Sequence, residues 1–239
     1  MDKAESSYVL EARNLKKSYG KGENSVAALK DVSFAVKPGE FVAILGPSGS
    51  GKSTLLNMLG LMDQPDSGDV FIAGKKTLAL KEEARALLRN EKLGFVFQFD
   101  ALLSEFTILE NILFPALIST RAKKASYSEA RKRALGLLEH LGLLQIAERY
   151  PSQVSGGERQ RAALCRALMN QPDIILADEP TGNLDKANGE MVFKDLEALA
   201  RQRLTAVILV THNEEAALKA FRVFHMQDGA LSEVLGVQS

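Results

Sequence analysis

Two kinds of hydrophobic patterning divide the chain. Near its start, VLEARNL and ALKDVSFAV place apolar residues at nearly every second position, as half-exposed strands do. GKGEN between them is a turn-rich connection, so the pair predicts a small antiparallel sheet. After the turn signal Lys37-Pro38-Gly39-Glu40 the pattern becomes an unbroken apolar run, FVAIL, which suits a strand covered on both faces. IILA from Ile174 and AVILV from Ala206 have the same character. Such strands, separated by helical stretches, predict an α/β fold with a mostly parallel sheet under helices.

Between Leu93 and Val154 the texture turns helix-rich. FTILENILFPALI and YSEARKRALGLLEHLG both carry apolar residues at helical spacing. Thr107 with Glu110, and Ser126 with Glu129, fit the capping box, in which two side chains satisfy free amides at a helix start. This stretch is expected to form a helical subdomain, at about 99–160, within a single domain spanning 1–239. There is no internal repeat and no low-complexity tract.

Composition narrows the partners. Hydrophobic residues make up 46% and charged residues 25%, as in an ordinary globular protein. Thirty basic residues balance thirty acidic ones, so no global field recommends nucleic acid or anionic lipid as the main partner. The single cysteine, Cys165, has no internal partner, and its helical flanks AALCRALM point to a buried thiol. The start, MDKAESSYVLEARN, carries acids and no apolar run, unlike a secretory leader. No stretch approaches the roughly 20 apolar residues needed to cross a bilayer, so a membrane role is expected to be peripheral.

Chemistry concentrates at three places. Gly46-Pro47-Ser48-Gly49-Ser50-Gly51-Lys52-Ser53 fits G-x-x-x-x-G-K-[ST] directly after the FVAIL strand and before the helical STLLNMLGL. Glycines let backbone amides curl around phosphate oxygens, Lys52 neutralises the outer phosphates, and the Ser53 hydroxyl can hold magnesium. IILADEP ends a buried strand in two acids at the edge where phosphate loops gather. Asp178 should reach the magnesium, and Glu179 should orient and deprotonate a water. Ser155-Gly156-Gly157-Glu158 opens a helix with a third capping box, making its tip an anion site. One chain already cradles its nucleotide in the first loop. A second phosphate-seeking tip is redundant unless it faces another molecule's nucleotide.

With these elements the sequence resembles the nucleotide-binding subunit of an ATP-binding cassette transporter. The match runs in order through Tyr19, the phosphate loop, Gln98, the signature Ser155 to Gln160, Asp178-Glu179, Asn183-Leu184-Asp185 and His212. The resemblance implies the P-loop NTPase fold of the cassette ATPases, with an amino-terminal antiparallel β subdomain and an inserted helical subdomain. It implies ATP and Mg2+ as ligands and ATP hydrolysis coupled to transport. Nucleotide contacts fall on Tyr19, Gly46, Pro47, Ser48, Gly49, Ser50, Gly51, Lys52, Ser53 and Thr54. From a second copy, in a head-to-tail dimer, come Ser155, Gly156, Gly157 and Asp185. Metal contacts fall on Ser53, Gln98 and Asp178, and catalytic roles on Glu179, His212 and Gln98.

Tyr19 offers a flat face at the end of a strand for stacking on the adenine, although the residue taken alone favours an ordinary surface tyrosine. Gln98, ending GFVF, offers an amide to the metal shell or the attacking water. Thr211 with Glu214 makes a fourth capping box that would hold His212 at a helix tip, where a neutral imidazole can donate to the γ-phosphate.

TGNLD at 181–185, the block Leu88 to Phe95 and EFTILEN at 105–111 resemble a narrower group, that of the ATPase of the bacterial lipoprotein-releasing system. This implies peripheral attachment to the cytoplasmic face of the bacterial inner membrane, beneath transmembrane permease subunits on other chains. The sequence departs from that pattern at Asp100-Ala101-Leu102-Leu103-Ser104, where two histidines and a proline are expected, and at Asn213, where an acid is usual. Macrolide or peptide efflux and cell-division cassettes share the GNLD run and stay open as alternatives. So does a soluble cassette protein, although no coiled-coil insertion, zinc module or tandem cassette is present. A guanine-reading Asn-Lys-x-Asp motif is absent, which argues against a GTPase switch. A groove from Phe95 to Phe114, with Leu102, Leu103 and Phe106 exposed, is expected to receive a coupling helix of the permease.

Overall fold

The alternating strands near the start are β1 (Leu10–Tyr19) and β2 (Val26–Val36), paired antiparallel in a computed structural model that describes residues 7–20, 22–118 and 126–234. Residues 1–6, part of the stretch read as lacking a leader, lie outside the described residues. β4 (Ser67–Ile72) and the short β5 (Lys75–Lys76) complete a four-stranded antiparallel sheet in the order β2-β1-β4-β5.

The unbroken apolar runs form the centre of a second sheet. β3 (Phe41–Leu45), β6 (Leu93–Val96), β7 (Ile174–Asp178), β8 (Ala206–Thr211), β9 (Arg222–Gln227) and β10 (Ala230–Val234) lie in the order β10-β9-β3-β8-β7-β6. All neighbours are parallel except β10, which returns antiparallel along β9. The runs are unbroken because both faces are covered, and the period-2 geometry of a strand sorts the residues between two cores. Phe41, Ala43, Ile175, Ala177, Val207 and Leu209 face the helical side. Val42, Ile44, Ile174, Leu176, Ile208 and Val210 face the side closed by the antiparallel sheet and α1 (Lys52–Leu59).

Residues 93–96 belong to this central sheet, so the helix-rich stretch begins after them. Beyond α2 (Glu82–Lys92), it holds α3 (Ile108–Leu117), α4 (Tyr127–His140) and the start of α5 (Gly156–Leu168). The capping boxes at Thr107, Ser126 and Ser155 are all formed. The expected end of the subdomain at about 160 falls inside α5, which runs on to Leu168 with Leu164, Cys165 and Leu168 in the helical-side core. Two more helices follow, α6 (Lys186–Arg203) and α7 (Glu214–Ala217).

Asn111 organises the loop before α3. Its buried amide donates to the carbonyls of Leu103, Phe106 and Thr107 and accepts from the Leu103 amide. Cys165 is fully buried, and burial pushes its thiol up to about 12. The thiolate is the reactive form. Iodoacetamide at neutral pH should therefore leave the native protein unlabelled and modify it stoichiometrically in urea; rapid native labelling would contradict this burial.

Candidate active site

The carboxyl ends of the parallel strands gather the chemistry, as expected for an open α/β sheet. The loop 46–51 follows β3, Asp178 closes β7, Glu179 comes next, His212 follows β8, and Gln98 lies two residues beyond β6. Ser48, Gly49 and Gly51 of the loop, Lys52, Ser53 and Thr54 at the start of α1, and Gln98, Asp178, Glu179 and His212 line a cavity of about 660 Å³; Gly46, Pro47 and Ser50 of the loop do not line it. Gln98 was expected to end its strand; the strand stops at Val96, and Gln98 occupies the bend beyond it.

Glycine is required in the loop for two reasons at once at Gly51. Its φ is +106°, and a Cβ there would run into the Ala28 carbonyl. Lys52 is buried and donates to the loop's own carbonyls, Gly46 at 2.7 Å and Pro47 at 2.8 Å. Its ammonium is thus held where an incoming phosphate oxygen can replace a carbonyl. The hydroxyl of Ser50 is buried without a hydrogen-bond partner. Behind the loop, the β9–β10 turn closes in: Gly229 N–H donates to the Ser50 carbonyl at 2.9 Å, and Lys30 N–H donates to the Gly229 carbonyl at 2.7 Å.

Asp178 is only partly exposed, and burial, then the neighbouring Glu179, hold its proton to higher pH than an ordinary aspartate; Lys52 opposes this. A cation beside it would favour the ionised form. Glu179 sits at φ +46°, a conformation that non-glycine residues rarely adopt, and its N–H donates to the Val210 carbonyl. Its carboxylate is held by the Thr211 hydroxyl at 3.0 Å, the His212 N–H at 2.8 Å and His212 Nδ1 at 2.7 Å. Because Nδ1 faces the carboxylate as a donor, Nε2 of the exposed ring is left to face outward.

Thr211 therefore has a different task from the one its sequence context suggested. It is the last residue of β8, paired in register with Leu45, and α7 begins only at Glu214, so the cap position falls on the residue directly before it. Asn213 caps α7 instead, accepting from the Ala216 N–H at 3.2 Å, while the Thr211 hydroxyl serves Glu179.

Other expected residues lie outside this cavity. Tyr19, 45% exposed, ends a ten-residue strand and pairs with Val26, which does line the cavity. Its hydroxyl donates to Asp63 at 3.1 Å. Ser155, Gly156, Gly157 and Asp185 are not among the lining residues. The Ser155 hydroxyl donates to Glu158 at 2.8 Å, and the Ser155 amide and hydroxyl together hold the Glu158 carboxyl below its usual range. The two glycines of the tip differ. Gly156 is open, whereas a Cβ on Gly157 would collide with Asn188, whose side chain and amide are bonded to Asp185 at the start of α6. Close packing within the chain, as well as access for a phosphate, thus explains the second glycine.

Of the groove expected between Phe95 and Phe114, the structure has a depression beside Phe95, and none of Leu102, Leu103, Phe106 and Phe114 lines it. Phe95, Phe97, Ala101, Pro115, Ile118 and Arg166 border this depression of about 490 Å³. Leu103 and Phe106 are exposed as expected, but Leu102 is partly buried and packs against the helical-side core. Phe99, 72% exposed, was missed because its flanks gave no sign of which side it faces.

Comparison with known proteins agrees with this geometry. Residues 29–182 match the model of a family described as ABC transporter. The chain is 48% identical over 225 residues, 94% of its length and 97% of the relative's, to the lipoprotein-releasing system ATP-binding protein LolD of Pseudomonas syringae pv. tomato. It is 44% identical, over 95% of its length and 99% of the relative's, to an uncharacterized ABC transporter ATP-binding protein, MJ1508, of Methanocaldococcus jannaschii. Among solved structures, it superposes on a dimeric post-hydrolysis state of the ATP-binding cassette MJ0796 bound to ADP and Pi. That TM-score is 0.85 at 41% identity, covering 95% of this chain and 99% of the other.

Proposed function

The chain belongs to the ABC transporter family, and from that membership and the geometry of its cavity we propose that it is the ATP-binding and ATP-hydrolysing subunit of a membrane transporter. Two copies pair head to tail, each lending its Ser155 tip to the other's nucleotide. The observation that carries this reading is the division of parts: one cavity gathers Lys52, Ser53, Gln98, Asp178, Glu179 and His212, while the Ser155 helix tip stands outside it. The first-turn amides of a helix lack intrahelical acceptors and favour an anion, so the tip suits a partner's phosphates.

In this reading the loop amides and Lys52 bind the phosphates, and Tyr19, at the cavity rim, meets the adenine. Glu179, fixed by Thr211 and His212, accepts the proton of the attacking water; with Nδ1 donating to Glu179, the His212 ring donates to the γ-phosphate from Nε2 only in its doubly protonated form. Asp185 holds the start of α6 against Gly157 and so brings the tip to the shared interface. Among the described residues no three His, Cys, Asp or Glu side chains gather as a ready metal cage. Magnesium, usually held by few protein ligands beside phosphate and water, fits the Ser53 hydroxyl, the Gln98 amide and the Asp178 carboxylate instead. When bound, it would neutralise phosphate charge.

The kinship with lipoprotein-releasing proteins makes the transporter one that extracts lipoproteins from the bacterial inner membrane, with this subunit on the cytoplasmic face. No described helix is long and apolar enough to cross a membrane; in this reading the spanning helices are those of partner subunits. The groove beside Ile118 is their docking place. The direct test of pairing is ATPase activity against protein concentration: specific activity should rise as the dimer forms, and a rate per subunit independent of concentration with a strictly monomeric enzyme would refute it. For docking, Ile118→Asp is a better probe than Leu102→Asp, because Ile118 is 68% exposed and borders the groove while Leu102 supports the core. Ile118→Asp should weaken co-purification with the membrane subunits by about 2 kcal/mol or more, as at an interface hot spot, with basal ATPase unchanged. Normal assembly would remove this docking site.

A further inference from the structure

The segment after Gln98 is fastened to α5 from several sides. Gln160, 3% exposed, donates to the Phe97 carbonyl at 2.7 Å. Arg159 Nε donates to Asp100 Oδ2 at 2.9 Å, while another nitrogen of the same guanidinium donates to the Val154 carbonyl at 2.9 Å. Two helical turns further on, Arg166 donates to the carbonyls of Asp100 and Ala101. Ala101 lies at φ +50°, a conformation L residues rarely adopt, and Arg166 holds it there at the wall of the groove. Burial pulls Arg166 below the usual arginine pKa, and the Asp100 carboxylate opposes this.

Asp100 supplies the only carboxylate between Phe97 and Ala101. Through Arg159 it ties a segment lining the nucleotide cavity to Val154, the residue immediately before Ser155. We infer that Asp100 is a positioning residue: its ion pair with Arg159 makes the Gln98 segment and the Ser155 tip one rigid body. Any displacement of Gln98 on contact with bound nucleotide then carries the tip with it toward the partner copy. The inference rests on the proposed paired site, since it concerns how the tip is delivered to the other copy's ATP.

The test compares Glu179→Gln with Asp100→Ala/Glu179→Gln by light scattering on size exclusion over a range of ATP and protein concentrations. Affinity of the monomer for a fluorescent ATP analogue is measured alongside. Monomer affinity should stay within about twofold, while the protein concentration for half-dimerisation rises about tenfold, the scale of one charge-assisted hydrogen bond. In the otherwise native chain, Asp100→Ala should lower kcat with little change in KM, and Asp100→Glu should restore most of it. In a double-mutant cycle Arg159→Ala should cost much less once Asp100 is gone. Should Asp100→Ala fail to fold, Asp100→Asn keeps the size and the acceptor for the Leu102 amide and answers the same question. Unchanged dimerisation and kcat, or losses fully additive with Arg159→Ala, would overturn the inference alone. Absence of ATP-driven dimerisation in Glu179→Gln itself would overturn the paired-site reading and this inference with it.

Discussion

Glu179→Gln should bind ATP with near-native affinity, turn it over about 10²- to 10⁴-fold more slowly, and accumulate as a dimer at saturating ATP. The magnitude is what a positioned general base contributes. Gln keeps the length of the side chain and can still accept one of the hydrogen bonds that Thr211 and His212 donate to Glu179. It loses the negative charge and the basicity needed to take a proton from water. Binding without turnover traps the closed state, because the step that would reopen the pair is removed. Phosphate release and size exclusion with light scattering check both halves. Near-native turnover would take the general-base role from Glu179, and a monomer at saturating ATP would count against the paired site.

Lys52→Ala should fail one step earlier, at nucleotide binding. The ammonium is buried against the loop and is the cavity's cation closest to the phosphate-binding amides. Truncating one partner of a buried charge-assisted contact costs about 2–5 kcal/mol, on the order of 30- to several-thousand-fold in Kd. The same side chain bonds the Gly46 and Pro47 carbonyls, so the thermal midpoint should be recorded with the titration. Lost binding with a preserved midpoint assigns the effect to the phosphates; ATP affinity unchanged from the native chain would remove Lys52 from the site.

The sequence showed most of what depends on neighbours along the chain. Unbroken runs such as FVAIL and IILA mark strands covered twice, and the structure sends their alternate residues into two different cores. The capping boxes at Thr107, Ser126 and Ser155 are local and formed as read. The same pattern misled at Thr211, because α7 starts at Glu214 and is capped by Asn213, while the Thr211 hydroxyl is taken by Glu179, a residue distant in sequence. Leu102 looked exposed for a similar reason, as nothing nearby in sequence says that the helical-side core lies against it. Arg159, Arg166 and Asn188 went unread because their partners are Asp100, Ala101 and Gly157, on segments that only the fold brings together. Within the candidate site, the residues were legible through their motifs, while the hydrogen bonds that fix Glu179 were not.

The contact between Gly229 and the phosphate loop carries a consequence for biosynthesis. Residues 46–53 leave the ribosome long before the hairpin that props them from behind, so the emerging chain holds its most recognisable stretch without the support that shapes it. The hydrogen bonds of Gly229 to Ser50 and of Lys30 to Gly229 can therefore form only after the downstream strands have folded back, so the loop takes its final shape late.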